Sequence, residues 1–589
     1  MMNPIAGCLA VLLLLLAAPC VGQTAPAGNE HPQAPALSQA AGQIVNPFGD
    51  PPTNITPTDR KRAFSREVNL EPLRTLAVFH AGRAKIVDTL ARETVQRITG
   101  RSRFADYLTV NNKPTEFKYD PLFTFFDLLI DPAYYLDKPL IHVEFLPLRE
   151  KYLELAFPKN EEAQERWKKL TRITPVMAVR HTQAIEDMLA KGSGDPTQYR
   201  TAINKVLNAV SLYDQGEANL LLIAPEKPDL PYSHLGSLPA DHPARLAAMQ
   251  MAKAWRAGDA TGVNAATATL AEELPKINAA MYPTTRRDLE TAYNRLNAFE
   301  WGWRFYAVAL IALILAFGTG RRWLIASGIV ALAAAVIMHA TGFTLRCIIA
   351  ERFAIQNQFE SMTGLSLFAT VVGSLIMLAR RQWLFGAASA GVGFLILVAA
   401  TQLPIIPGRF IEREAAILNT SVLLKYHVTT VLCSYGLIAL GFIVSLFYLG
   451  THYATRRRPA SLATPIGSPS LTAAALNLSD TPPGPARTLH DLDKAQLIVL
   501  QLAFWTLGVG ILLGAWWADH SWGRWWNFDP KETWALATWI VYLIVIHVRL
   551  TTGHNRGLVT AWLSVVGFFV MLWTYFGVNL ILPGLHAYA

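Results

Sequence analysis

The sequence predicts an all-α polytopic membrane protein with about eight transmembrane helices, preceded by a mainly helical soluble domain. Three observations support this fold class. Hydrophobic residues make up 52% of the 589 residues and charged residues only 16%, whereas soluble domains are about a quarter charged. Apolar runs of membrane-spanning length recur after residue 300. Before residue 300, charged and apolar positions alternate at helical spacing.

The N-terminal part divides by composition. Residues 1–23 hold a short apolar core followed by small residues, which is typical of a signal peptide, although no positive charge precedes the core. A retained anchor is the alternative. Residues 24–58, rich in Pro, Ala, Gly and Asn, are expected to form a flexible leader.

Residues 59–300 are predicted to form an exported soluble domain. Helical spacing over 73–100 predicts two helical segments on either side of a Gly82–Arg83 break, and 241–300 is expected to form paired helices. No catalytic constellation is present in this sequence. Its histidines, such as His80, His142 and His181, are expected to be structural or surface residues.

Residues 301–589 are predicted to form the membrane domain. Its candidate helices are the apolar runs 303–319, 323–341, 363–379, 384–402, 428–449, 495–517, 533–550 and 558–580.

Arginines set the expected orientation of these helices. Basic residues occupy every second connection, at 321–322, 380–381, 456–458 and 549–556, and basic connections face the cytoplasm. The connections 342–362, 403–427 and 518–532 and the C-terminal tail are then expected outside, on the same side as the exported domain. Residues 459–494 are expected to be a disordered cytoplasmic linker.

Charge and cysteine content exclude other classes. The net charge of +9 comes largely from arginines beside apolar runs, and the chain has no Lys/Arg-rich motif, so no nucleic-acid partner is expected. The four cysteines form no C-x-x-C pair. The chain therefore lacks the C-x-x-C-H signature of covalent haem attachment.

The segment WWADHSWGRWWNFDPKETWALATW, which begins at Trp516, contains seven of the 16 tryptophans. An aromatic belt at the headgroup level would explain two or three of them. Gly523 and Pro530 prevent a continuous helix, so the rings are predicted to lie on a shaped loop between two membrane helices.

Such a loop suits a planar, hydrophobic ligand with a charged edge, such as haem. The indoles of Trp522, Trp525 and Trp526 offer stacking area. The cationic groups of Arg524 and Lys531 would meet the propionates. For Asp529, contact with the ligand and a structural role as the cap of the next helix are both open.

Three histidines are candidate iron ligands. His427 begins the 428–449 run and His586 lies in the C-terminal tail, both expected at the face of the tryptophan loop, where they would be the axial metal ligands. A surface role is the alternative for each. His547 lies about 20 Å along its helix from Trp534, so it is either an inner haem contact or a snorkelling residue. His339 and His452 are weaker candidates.

The segment WGRWWNFDPKETW closely resembles the tryptophan-rich WWD motif of the CcsA/ResC family, the haem-handling subunit of the system II cytochrome c synthase. The segments KYHVTTVLCSYG, GVNLILPGLHAY and YLIVIHVRL resemble the family's three histidine-bearing segments. This resemblance spans 303–589. More weakly, 70–115 and 280–300 resemble segments that precede the CcsA part in longer relatives.

The resemblance implies a component of cytochrome c synthase in a bacterial plasma membrane. It makes haem b the bound substrate, His427 and His586 its outer axial ligands, residues 522–529 its platform, and His547 part of an inner site. It implies apocytochrome c as a partner, together with a possible CcsB/ResB-like subunit. A haem exporter and a b-type electron-transfer subunit are the alternative functions.

Overall fold

The computed structural model describes most of the chain in ten segments. They are residues 46–50, 55–110, 113–191, 196–403, 406, 408–411, 421–456, 485–553, 555–578 and 582. The predicted signal peptide, most of the predicted leader and most of the predicted linker lie outside these residues. The described residues form two compact units, which divide between Asn294 and Arg295.

The N-terminal unit is mainly helical, as predicted. Its helices α1–α11 are Thr58–Glu67, Glu71–Arg74, Val87–Thr99, Pro121–Ile130, Leu146–Ala156, Glu161–Lys168, Pro175–Lys191, Pro196–Asp214, Pro243–Ala257, Ala260–Glu273 and Thr284–Leu296. Its strands β1–β6 are Ala77–His80, Arg83–Ile86, Ala105–Val110, Lys113–Lys118, Ile141–His142 and Arg172–Ile173, which form three two-stranded sheets, β1–β2, β3–β4 and β5–β6. All three pairs are antiparallel.

The helical expectation for 73–86 holds only for residues 73 and 74, which end α2, and was wrong for the rest. Residues 77–86 form the hairpin β1–β2, in which Val78 lies opposite Lys85. Ala81 and Gly82 both have positive φ, 52° and 78°, and two such residues make the hairpin turn whose twist matches the strands. The second part of the prediction is confirmed, because α3 begins at Val87.

A buried ionic cluster crosses the core of the N-terminal unit. The Nζ atom of Lys61 lies 2.6 Å from a carboxylate oxygen of both Asp127 and Asp131. Asp127 also accepts hydrogen bonds from the Tyr135 hydroxyl and the Trp255 indole, each at 2.8 Å. Because one ammonium group joins two buried carboxylates, removing it would leave both without their counter-ion.

The membrane unit confirms the eight predicted helices. In the described part of the chain, eight helices are long and apolar enough to span a bilayer. As α12–α19 they are Ala298–Thr319, Arg322–Ala350, Gln358–Arg380, Trp383–Gln402, Val422–Arg456, Pro485–Trp522, Pro530–Thr551 and Arg556–Leu572. A π-helical turn, Trp573–Gly577, follows α19.

Several helices extend beyond the apolar runs that predicted them. Helix α13 continues to Ala350, α16 begins at Val422, and α17 runs from Pro485 to Trp522. Charged residues such as Arg346, Lys425 and Asp493 lie in these extensions, because a helix end outside the hydrocarbon layer need not be apolar. Trp522, expected on a loop, is therefore the last residue of a helix.

Buried arginines fix both ends of the membrane unit. Arg346 of α13 contacts Glu360 of α14 at 3.0 Å and donates to the carbonyl oxygens of residues 408–410 at 2.8–3.0 Å. At the other end, Arg549 of α18 forms a bidentate pair with Asp493 of α17, at 2.7 and 2.9 Å. Arg549, predicted as a basic residue of a surface turn, is 6% exposed.

Candidate functional site

The end of the membrane unit that holds the tryptophans consists of four parts. They are the first two turns of α16, the last two turns of α17, residues 523–529 and the first turn of α18. We call this region the tryptophan end. Leu424 of α16 packs there against Trp517 and Ala518 of α17.

The connection between α17 and α18 is short because both helix ends are capped. Gly523 has a φ of +70°, and its N–H donates to the Asp519 carbonyl at 2.9 Å, which ends α17 in the left-handed conformation that glycine favours. Pro530 begins α18, and Asp529 and Glu532 form a capping box. Gly523 and Pro530 therefore interrupt the helix as predicted.

The aromatic rings fall into an anchored and an exposed group. Trp517 is 3% exposed, and its ring meets that of Trp522 edge-on, with centroids 4.9 Å apart. Trp525 and Phe528 are 55% and 81% exposed. Trp526 lies edge-on to Phe528, at 6.4 Å. The contact between the buried Trp517 and the half-buried Trp522 fixes the base of the loop, while Trp525, Trp526 and Phe528 offer apolar faces to a ligand.

The charged residues of the loop differ in their roles. Asp529 is buried, and its carboxylate accepts from the Lys531 N–H at 3.1 Å, so the structure gives it the capping role. Arg524 is exposed and Lys531 half-buried. The Lys531 ammonium group is attracted by the Asp529 carboxylate, whereas the exposed Arg524 is the cation more accessible to an anionic ligand.

His427 lies in a notch between α16 and α17. Its Nδ1 atom is 2.7 Å from the Gly510 carbonyl oxygen. Because a carbonyl only accepts, Nδ1 carries the proton and the lone pair of the neutral imidazole lies on Nε2. A backbone carbonyl on the second ring nitrogen is the usual arrangement of a metal-ligating histidine.

Glycines create this notch. A Cβ atom on Gly514 would lie 2.5 Å from Cε1 and 2.7 Å from Nδ1 of His427, and one on Gly510 would lie 2.8 Å from the Val431 side chain. The two glycines are four residues apart, the small-xxx-small spacing that lets membrane helices approach closely. Neither glycine was predicted as a site residue from the sequence, although the G-x-x-x-G spacing is visible there.

Trp522 and His427 share one neighbourhood. Trp522, Leu423 and Val428 all pack against the cluster formed by Leu424, Trp517 and Ala518. Leu423 lies one helical turn before His427 in α16, and Val428 directly follows it. His586, the second predicted axial ligand, lies outside the described residues. Its predicted pairing with His427 therefore stays a prediction.

His547 belongs to a different part of the membrane unit. It lies 13 residues beyond Trp534 in α18, which corresponds to about 20 Å. Its ring is exposed on the helix surface with Ile540 and Ile544, and its Nδ1 bonds the Leu543 carbonyl at 2.8 Å. The Arg549–Asp493 pair, two residues further on, fixes the rotation of α18 that gives His547 this exposure.

The two weaker candidates are partly explained by their contacts. His339 is fully buried, with Nε2 3.0 Å from the Thr363 carbonyl and Nδ1 3.3 Å from the Tyr306 hydroxyl. Both ring nitrogens thus have partners, as a structural histidine requires. His452, near the end of α16, stacks on Tyr448 at 6.2 Å.

Comparison with known proteins identifies the membrane unit. The family described as "Cytochrome C assembly protein" matches residues 301–586. The cytochrome c biogenesis protein CcsA of Prochlorococcus marinus (strain NATL1A) is 32% identical over 248 residues, which cover 40% of this chain and 76% of that protein. CcsA of Synechococcus sp. (strain CC9902) is 31% identical over 298 residues, which cover 49% of this chain and 95% of the relative.

A longer relative also matches part of the N-terminal unit. Protein NrfI of Wolinella succinogenes is 25% identical over 541 residues, which cover 86% of this chain and 53% of NrfI. The CcsA relatives, the assembly family and the eight membrane-spanning helices agree on a multi-pass membrane protein that handles haem and apocytochrome c. The chain belongs to the CcsA family of cytochrome c assembly proteins.

Proposed function

We propose that the tryptophan end holds haem b as a substrate and presents it for thioether attachment to apocytochrome c. The iron lies between the imidazoles of His427 and His586, and the porphyrin lies against the indoles of Trp522, Trp525 and Trp526. A role in cytochrome c assembly follows from family membership. The haem geometry is the proposal, and the hydrogen bond between His427 and Gly510 carries it.

That hydrogen bond prepares His427 for iron in two ways. It places the imidazole lone pair on Nε2, the atom that would ligate, and it fixes the plane of the ring. The glycine notch holds the ring closely between α16 and α17. A ring held in one orientation suits ligation better than a mobile surface side chain does.

The two cations of this region suit the propionate edge of haem. Arg524 and Lys531 lie on either side of the exposed Trp525 and Phe528 in sequence, at a loop seven residues long. Carboxylates bound there would leave the opposite, vinyl-bearing edge of the porphyrin for the client. Asp529, occupied as a helix cap, positions this loop and need not touch haem.

The chemistry requires positioning more than acid–base groups. A cysteine thiol of the client adds across a haem vinyl group: the S–H bond breaks, a C–S bond forms at the vinyl carbon next to the ring, and the proton ends on the outer vinyl carbon. Oxidation and reduction balance within this addition. The client histidine then replaces one protein imidazole, and the chain contributes orientation of the reacting groups.

We place the protein in a bacterial plasma membrane, with the tryptophan end outside the cytoplasm. Arg322, Arg380, Arg456 and Arg556 all lie at helix termini opposite the tryptophan end. The positive-inside rule assigns such an end to the cytoplasm. The N-terminal unit then lies outside with the tryptophan loop.

His547 suits an inner haem site completed by another subunit. Its ring is on an exposed, apolar face of α18, a membrane helix whose most apolar stretch is only 22% buried. A second axial ligand on that face would come from a neighbouring membrane helix. This arrangement supports a CcsB/ResB-like partner and entry of haem near His547.

The test uses a strain that lacks this chain, complemented with His427→Gly, His586→Gly or the control His520→Gly. His520 is an exposed histidine of the tryptophan end whose ring bonds its own helix at 3.0 Å. We expect the first two variants to lower holocytochrome c and bound haem about tenfold or more, and the control to keep both. Unchanged yield in His427→Gly would refute the assignment, and loss of b-type cytochromes as well would favour haem export.

A further inference from the structure

A small cavity lies where four helices of the membrane unit meet, and none of the roles above uses it. The space that it leaves for the centre of a water molecule is about 10 Å³. Each of the four helices contributes one polar side chain to its wall: Ser445 from α16, Gln496 from α17, Tyr542 from α18 and Ser564 from α19. The rest of the wall is apolar.

The amide group of Gln496 lacks a partner at this cavity. The residue is 2% exposed, and within the described part of the chain neither its Nε2 nor its Oε1 atom makes a hydrogen bond. An amide offers two N–H donors and an acceptor oxygen. Burying such a group without replacing its hydrogen bonds to water is costly, most of all in a hydrocarbon layer. The amide therefore needs a partner inside the cavity.

The size and the chemistry of the cavity select water as that partner. An internal water needs about 10–15 Å³ of such space and two to four polar groups around it, and the cavity provides both. None of the described residues that line it is charged. A metal cation would thus lie in a region of low dielectric constant without a counter-charge, which is unfavourable.

The cavity continues a charged end of the membrane unit inward. Gln496 follows Asp493 by three residues, which corresponds to about 4.5 Å along α17. Asp493 pairs with Arg549 and lies 3.9 Å from the largely exposed Arg556. Tyr542 precedes Arg549 by seven residues in α18, about 10 Å. Water at the charged end is therefore close to the cavity.

We propose that the cavity binds one ordered water molecule, which hydrogen-bonds to Gln496 and to the hydroxyl groups from α16, α18 and α19. The cavity cannot close by collapse of α16 onto α17, because a Cβ atom on Gly441 would already lie 3.3 Å from the Val499 side chain. The water joins the helix that carries His427 to the helix that carries His547. This proposal does not depend on the haem assignment.

The test is X-ray hydroxyl-radical footprinting of the full-length protein in detergent, read by mass spectrometry. X-rays split a bound water into radicals that oxidise the nearest side chains, even where bulk solvent is excluded. We expect Tyr542 to be oxidised. Tyr306 should stay unmodified, because it is equally buried but its hydroxyl donates to Thr370 at 3.1 Å. Equally low oxidation of the two tyrosines would show a dry cavity and overturn the proposal.

A pair of variants tests the role of the amide. Gln496→Leu removes the polar group, and we expect oxidation of Tyr542 to fall to the level of Tyr306. Gln501→Leu is the matched control, because Gln501 is exposed on the same helix and does not line the cavity. Oxidation of Tyr542 that falls in both variants, or in neither, would overturn the proposal. If Gln496→Leu fails to fold, the comparison of the two tyrosines in the wild type still decides.

Melting curves separate water from a metal cation. The wild type is melted in sodium chloride and in choline chloride at the same ionic strength. We expect equal melting temperatures, because water is present in both. A higher melting temperature in sodium chloride that is lost in Gln496→Leu would identify the occupant as a cation and overturn the proposal. None of these measurements needs haem, so failure here and failure of the haem assignment are distinguishable.

Discussion

Gly514→Ala should disable the haem ligand without weakening the fold. The new Cβ atom would lie 2.5 Å from Cε1 and 2.7 Å from Nδ1 of His427, closer than non-bonded atoms approach. The imidazole is the end of a side chain and α17 is a packed helix, so the ring moves. It then leaves the Gly510 carbonyl, now 2.7 Å away.

The magnitude follows from what the ring loses. The hydrogen bond itself contributes about 0.5–1.5 kcal/mol, while loss of a group that orients a ligand typically lowers metal affinity about 10–100-fold. Alanine is favoured over glycine in a helix by about 1 kcal/mol. The substitution should thus lower haem affinity by about tenfold or more while the melting temperature of the apoprotein stays near that of the wild type.

The assay is haem content per protein after purification, followed by haem titration of the apoprotein. Gly450→Ala is the matched control, since it lies in α16 and its new Cβ meets no atom within 4 Å. If Gly514→Ala retains haem as fully as Gly450→Ala does, the glycine notch has no part in ligation and the reasoning from His427 fails.

Three further substitutions test the ionic contacts. Arg549→Leu leaves the half-buried Asp493 with only Arg556, 3.9 Å away, and should cost about 1–3 kcal/mol, seen as a lower melting temperature in detergent. Lys61→Met should also destabilise the N-terminal unit, because the carboxylate of Asp127 stays buried after it loses the Lys61 ammonium group. Hydrogen exchange of the backbone amides would measure this loss. Burial, and then the charge of Lys85, lower the pKa of His80 to about 4, below its usual 6.5. The free energy of unfolding should therefore fall as pH drops from about 6.5 to 4. This fall should be smaller in His80→Gln.

Arg549→Leu and Lys61→Met each have a control on the surface. Arg556→Leu removes a largely exposed arginine 3.9 Å from the same aspartate, and Lys276→Met removes an exposed pair. Exposed pairs contribute about 0–1 kcal/mol. Losses as large in the controls as in Arg549→Leu and Lys61→Met would show that burial is not the cause. A melting temperature of His80→Gln with the same pH dependence as the wild type would exclude His80 as the titrating group.

The sequence was sufficient for the eight membrane helices because a spanning helix must be continuously apolar over a fixed length. It was insufficient for the β1–β2 hairpin. Short amphipathic segments fit helix and strand about equally, and the positive φ of Ala81, which decides the turn, is unusual for a residue with a Cβ.

The candidate site was predictable in part. The tryptophan loop and its two helix breakers, Gly523 and Pro530, are local features of the sequence. The contact between His427 and Gly510 joins residues 83 apart on two helices, and nothing local specifies how those helices align. The Asp493–Arg549 pair escaped for the same reason, since its arginine resembles any basic residue beside an apolar run.

The most direct measurement is the optical spectrum of the purified protein with haem bound, recorded for the wild type, His427→Gly, His586→Gly and His520→Gly. Two axial imidazoles predict a low-spin spectrum for the wild type and for His520→Gly. Each of the other variants should lose it and regain it when free imidazole is added. A low-spin spectrum that persists without either residue 427 or residue 586 would contradict the placement of iron at the tryptophan end.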